Sequence, residues 1–190
     1  MDLGETLRHR RMVRRFTGEP IDLGTTERIA AAAARAPTAG NTQGITVVSV
    51  TDPDRIRQIA QACGERSYVE RGFDPWLSTA GQHIALCAEP ERYRERYADE
   101  DKNSAALEVV PWWWVDSGAA LMAVLLTAVE EGLAAGFHGG HGAEEVTEIL
   151  KIPEAVELVG IVAVGHPAPD RPSSSLDRPK RDDVVRRNSW

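Results

Sequence analysis

Asp116-Ser-Gly-Ala-Ala-Leu-Met-Ala-Val-Leu-Leu-Thr-Ala-Val-Glu-Glu-Gly-Leu-Ala-Ala135 is the stretch whose reading decides the architecture. It predicts the longest helix of the chain, capped by Asp116, running to about Ala135 and stopped near Gly136. Apolar residues occupy nearly every side of that helix, which places it in the middle of a core. The apolar run inside it, Gly118 to Val129 with Thr127 as its polar interruption, is too short to span a bilayer and is closed by Glu130 and Glu131.

Working outward, Gly139-Gly140-His141-Gly142 forms a turn, Ala143 to Leu150 a short helix, and Val156 to Val164 a strand. Upstream, Ile45-Thr-Val-Val-Ser-Val50 and His83-Ile-Ala-Leu-Cys-Ala88 read as strands. Asp2-Leu-Gly-Glu5 resembles a capping box that opens a short first helix. A second helix spans about Leu23 to Ala36, capped by Asp22 or Thr25 and ended by Pro37. Further helices start at Pro53, running to about Cys63, and at Pro90, while the stretch from Gly64 to Ser78 carries no assignable period. Helices and strands mix without a strict βαβ rhythm and without an internal repeat, which predicts an α+β layer architecture.

The composition fits one domain over residues 1–190: 20.8 kDa, 42% apolar, 27% charged. Such a chain buries roughly 70% of its unfolded surface and needs no disulfide or structural metal. From Ala168 to Trp190 it turns rich in Pro, Ser and charge, so this segment is expected to act as an arm that docks on something else. With 22 Lys and Arg against 29 Asp and Glu, the net charge of −7 argues against nucleic acid and anionic lipid as partners. Cys63 and Cys87 read as buried free thiols of a reducing compartment, and the basic N-terminus is followed by no apolar stretch of a signal peptide. A cytoplasmic protein with no membrane contact is expected.

Arg8, Arg10, Arg11, Arg14 and Arg15 form a cluster that either is a solvated basic face or holds an anion. Guanidinium groups at 10, 11 and 14 can converge on a phosphate through forked donors. Ala36-Pro-Thr-Ala-Gly-Asn-Thr-Gln43 places amides and hydroxyls between a helix end and a strand, a turn that can also read a planar polar ligand. His138 and His141 lack a second ligand cluster, so no metal site is expected, and His166 before Pro167 reads as structural. No Ser-His-Asp or Cys-His pattern emerges. No Gly-x-Gly-x-x-Gly follows a strand, which excludes a Rossmann site for nicotinamide.

Taken in order, the Arg-Arg-x-x-Arg-x-Phe entry, the APTAGNTQ loop, the late apolar helix, the Gly-Gly turn and the Val-Gly-His-Pro strand exit resemble the nitroreductase family of FMN-dependent oxidoreductases over nearly the whole chain. The resemblance implies a mainly antiparallel sheet flanked by helices around a long central buried helix. It also implies an intertwined homodimer with FMN at the interface. Carried over by position, it assigns Arg10, Arg11 and Arg14 to the phosphate and ribityl chain, with Met12 standing where the family usually has Ser. It assigns Pro37, Thr38, Asn41 and Gln43 to a loop lying on the flavin from one or the other subunit, with Gly44 in place of the usual Pro. Gly139 and Gly140 match the turn whose amide faces flavin N5, and Arg178, Lys180 and Arg181 match a terminal basic segment over the phosphate. Val184 and Val185 would continue as a strand on the partner's sheet.

Trp112-Trp113-Trp114 cannot all point into one core, so at least one is exposed or at an interface, either walling the substrate pocket or anchoring the dimer. Trp76 and Tyr68 are further pocket candidates. The implied chemistry is ping-pong hydride transfer from NADH or NADPH to FMN, or to a related deazaflavin, and on to a nitroaromatic, quinone or enone, with no catalytic acid or base side chain. The alternatives are a protein that binds or sequesters flavin without turnover, and a dehalogenase or flavin-fragmenting member of the same family.

Overall fold

Four strands form one antiparallel sheet in the order β1-β2-β4-β3: β1 (Ile45–Val50), β2 (Gln82–Ala88), β3 (Ala134–His138) and β4 (Glu157–Gly165). The computed structural model describes residues 1–140, 142–169, 181 and 183–190. The two-residue period of the central strands sends Ile84, Leu86, Val162 and Val164 to one face of the sheet. Ala85, Cys87, Ile161 and Ala163 go to the other. A helical layer covers each face, which gives the α+β architecture that the sequence predicts.

On the first face lie α2 (Leu23–Ala31) and α7 (Trp112–Glu130), with Ile29, Val124 and Leu125 buried between helices and sheet. On the second lie α3 (Pro53–Ala62) and α8 (Ala143–Leu150), which bury Ile56, Ile59 and Val146. The remaining helices are α1 (Leu3–His9), α4 (Glu65–Glu70), α5 (Pro90–Tyr97) and α6 (Ala106–Val109). The capping box is present: Glu5 N–H donates to Asp2 at 2.8 Å and Asp2 N–H to Glu5 at 3.2 Å. Asp22 caps α2 through the Thr25 amide, and a 3₁₀ turn over Ala32–Arg35 replaces the last expected turn. Cys63 and Cys87 are free and buried.

Two expectations are corrected. The long helix begins at Trp112 rather than Asp116 and ends at Glu130 rather than Ala135. Gly132, at φ +76°, turns the chain, and Ala134–His138 pairs with β4 as an edge strand, so sheet pairing overrides the helix propensity of the two alanines. Asp116 therefore lies inside the helix, 5% exposed, and does not cap it. The helix is also not covered all round: Ala120, Val124, Leu125 and Ala128 are buried, whereas Trp114, Val115, Gly118 and Met122 form an exposed face. With 19 residues and a mean hydropathy of 1.4, the helix is long and apolar enough to cross a membrane, but its buried face packs on all four strands as a core helix.

The two sheet edges differ. Residues 12 and 13 run along β3, with Met12 in a parallel bridge to Ala135 and Val13 N–H donating to the Ala135 carbonyl at 2.9 Å. The outer edge of β1 has no strand partner among the described residues.

Candidate functional site

The strip of chain along β3 brings Arg14 of the arginine motif to a cleft shared with Gly139 of the glycine turn. It fits because Gly136 has no side chain: a Cβ there would collide with the Val13 carbonyl and the Trp76 ring. Arg14 lies over the Trp76 indole, 5.5 Å from its centroid. Trp76 in turn tilts against His138, the last residue of β3, with centroids 6.2 Å apart. Arg14, Tyr68, Trp76 and Gly139 line one open cleft of about 610 Å³, within the roughly 300–1,000 Å³ typical of small-molecule sites. Gly139 is exposed there, and the next residue, Gly140 (φ +100°), is exposed with no atom within 4 Å of where a Cβ would be.

The arginines divide into two groups. Arg15 is a structural clamp, paired with Asp74 at 2.9 Å and donating to the Pro169 carbonyl. Arg10, Arg11 and Arg14 have no carboxylate partner among the described residues; Arg11 donates to the carbonyls of Arg8 and Arg10 at 2.6 and 3.2 Å. Arg14, which lines the cleft with the exposed Gly139, is the guanidinium of the motif that stands beside an exposed backbone amide, a pairing of donors that suits an anion. Met12, 42% exposed, contributes the backbone bridge rather than a side-chain donor. Arg181 is paired with Asp183 at 2.8 Å, while Arg178, Lys180 and His141 lie outside the described residues.

Sequence reasoning missed the device that holds the Trp76 wall. Glu65, 9% exposed at the start of α4, accepts from the backbone amides of Trp76 (2.8 Å), Leu77 (2.6 Å) and Ser78 (3.1 Å). The Leu77 carbonyl is bonded at 2.9 Å by Nε2 of His83, the second residue of β2. That bond places the proton on Nε2 and leaves Nδ1 buried without a partner, and burial pushes the pKa of His83 down to about 4. No local pattern around Glu65 signals these contacts, because the amides that donate to it lie beyond an irregular loop.

The second sequence-predicted cluster forms elsewhere. In the loop before β1, the Ala39 amide donates to Asp116 Oδ2 at 2.8 Å, and the Tyr93 hydroxyl donates to the same oxygen at 2.7 Å. Burial and the Asp116 carboxylate push the Tyr93 hydroxyl pKa well above its ordinary value. Arg96 donates from Nε to the Gly40 carbonyl at 2.9 Å while pairing with Asp101 at 2.7 and 2.8 Å, which holds the Asp101 carboxyl down to about 2. Thr38 Oγ1 accepts from the Gln43 amide at 3.0 Å. Pro37, Asn41 and Gln43 are exposed, Asn41 and Gln43 at φ 53° and 55°, and their side chains form no hydrogen bond among the described residues. Gly44 is required because a Cβ there would strike the Tyr93 ring.

The tryptophans belong to this second cluster. Trp113 donates from Nε1 to Glu157 at 3.2 Å and sits between Tyr93 and Arg94, a structural placement. Trp112 is half-buried and Trp114 is 47% exposed. None of the three lines the cleft beside Gly139. The loop leads into β1 and the glycine turn leaves β3, which are opposite edges of a four-stranded sheet. Three interstrand spacings, about 14 Å, separate them. The two clusters are thus separate within one chain.

The sequence profile of the nitroreductase family matches residues 7–166, and the chain belongs to that family. An NADPH-flavin oxidoreductase of Vibrio harveyi is 28% identical over 165 residues, covering 86% of this chain and 65% of that protein. This chain therefore spans less than two thirds of the length of that relative. A putative NADH dehydrogenase/NAD(P)H nitroreductase of Archaeoglobus fulgidus is 26% identical over 185 residues, covering 95% of this chain and 94% of its own. Among solved structures, the NADPH:FMN oxidoreductase of Vibrio harveyi complexed with NAD+ superposes with a TM-score of 0.68 at 25% identity, covering 98% of this chain and 76% of that one.

Proposed function

We propose that this protein is an FMN-dependent NAD(P)H oxidoreductase that reduces a small planar electrophile of the nitroaromatic, quinone or enone class. The observation that carries the reading is the meeting of Arg14, which has no carboxylate partner among the described residues, and the exposed Gly139 backbone at one cleft of about 610 Å³. The cleft fits a flavin in size and donor set. Bound FMN would supply a two-electron carrier that accepts hydride from a nicotinamide and passes it to the acceptor. Arg10, Arg11 and Arg14 would hold its phosphate and ribityl chain, and the glycine backbone would offer amides to its ring. The names of the Vibrio and Archaeoglobus relatives support both the cofactor and the nicotinamide.

A homodimer completes the site in this reading. The exposed face of α7 and the neighbouring Leu3 and Leu7 of α1, 67% and 49% exposed, supply an apolar surface for a second copy. A second copy would bring Asn41 and Gln43 of its loop, and its Trp112 and Trp114, over the cleft of the first. Residues 168–190 would act as the docking arm, with exposed Val184 and Val185 adding to the open edge of β1. The protein is taken to work in solution in the cytoplasm.

The deciding experiment is the visible spectrum of the purified protein, before and after FMN, then with NADPH or NADH without oxygen. Bands near ~450 nm should appear, bleach with reductant and return with a quinone or nitroaromatic. A colourless protein that takes up no FMN refutes the cofactor, and uptake without bleaching refutes turnover. Arg14→Ala should weaken FMN retention with the fold intact. A monomer by light scattering at micromolar concentration would remove the two-copy site.

A further inference from the structure

The cleft holds a second guanidinium that the proposed reaction leaves unused. Arg71, immediately after α4, lies over the Tyr68 ring at 5.7 Å and the Phe73 ring at 5.9 Å, and the two rings stack on each other at 4.5 Å. Its Nε donates to the Ser67 carbonyl at 3.2 Å, while neither terminal nitrogen meets an acceptor among the described residues. Arg71, Ser67 and Tyr68 line the same cleft as Arg14.

Nearby carboxylates do not neutralise Arg71. Glu70 pairs with Arg66 at 3.1 Å, Asp74 pairs with Arg15, and Glu65 is taken by three backbone amides. Glu145 also lines the cleft but forms no ion pair with Arg71. A guanidinium lying on aromatic rings keeps its in-plane donor edge free, and that edge matches a carboxylate or phosphate through two parallel hydrogen bonds. The stacking and the Nε bond hold the group in place beforehand, so little rotamer freedom remains to be lost on binding.

We propose that Arg71 is a specificity residue that recognises an anionic group, carboxylate or phosphate monoester, on the planar molecule entering the cleft. The inference rests on reading the cleft as a reductase site. Two sources present this chemistry: the 2′-phosphate that distinguishes NADPH from NADH, and an acid group on the acceptor.

The test is calorimetric binding to the purified, FMN-supplemented protein, using two matched pairs: NADP+ against NAD+, and 4-nitrobenzoate against 4-nitrobenzamide. In at least one pair the more anionic member should bind about tenfold or more tightly, the size of a charge-assisted hydrogen bond. Arg71→Gln should bring that ratio close to one, and Arg71→Lys should restore only part of it, because lysine lacks the fork. Movement of the NADP+ ratio assigns the anion to the nicotinamide, and movement of the nitrobenzoate ratio assigns it to the acceptor. Ratios near one in the wild type for both pairs overturn the proposal, as does equal weakening of anionic and neutral members in Arg71→Gln. Failure to take up or bleach FMN overturns the reductase reading instead, while the binding ratios, read without turnover, still decide on Arg71.

Discussion

Replacing Glu65 with alanine removes the acceptor of three backbone amides at once. Two belong to Trp76 and Leu77, which are 5% and 1% exposed, so the loss is largest if water from the cleft they line does not take the place of the carboxylate. An unsatisfied buried amide costs about 1–3 kcal/mol, and two give about 2–6 kcal/mol. The variant also sheds the desolvation cost of a buried carboxylate, which pulls the expected net loss toward about 3 kcal/mol. In a domain of this size that lowers the melting temperature by about 6–12 °C. Glu65→Gln keeps one acceptor oxygen and should lose about 1–2 kcal/mol. Equilibrium urea unfolding measures both: the midpoint should fall with the slope unchanged. An alanine variant within about 1 kcal/mol of wild type would show that the amides find other partners, and the account of the Trp76 wall would fail.

Other predictions follow from the same buried groups. Tyr93→Phe deletes the hydroxyl donated to Asp116 and should cost about 1–2 kcal/mol; Asp116→Ala should in addition speed hydrogen exchange of the Ala39 amide, and unchanged exchange would refute the clamp. His83 binds its proton only near pH 4 when folded but near 6.5 when unfolded. Stability is therefore lost as pH falls from 6.5 to 4, by about 3 kcal/mol, and His83→Gln should flatten that dependence in urea titrations. Burial pushes the Cys63 and Cys87 thiols up to about 11, so neither should react with a disulfide reagent at pH 8 until urea is added.

Much of the layered fold was legible because its signals are local. The Asp2 and Glu5 box, the Asp22 cap, the β-branched run at Ile45 and the apolar run from His83 each act within a few residues. The end of the long helix was not legible, because Ala134 and Ala135 become strand only through pairing with β4. The stretch from Gly64 to Ser78 was opaque for a related reason: α4 is tied down by Glu65 bonding residues that follow an irregular loop. At the site, Arg14, Gly139, Trp76 and Tyr68 are residues that the sequence singles out and that the fold brings to one cleft. Arg71 left no mark in the sequence, since its meaning depends on the two rings that the chain folds beneath it.

The placing of the Arg14 cleft and the Asn41 loop on opposite sheet edges has a genetic consequence for the proposed two-copy site. If each complete site draws on both copies, a chain damaged at Arg14 and a chain damaged at Asn41 fail for different reasons. When the two are co-expressed, each mixed dimer has one site that collects both lesions and one that collects neither. Two inactive alleles would then restore up to half of the activity per mixed dimer, whereas two lesions in the same half-site would restore none.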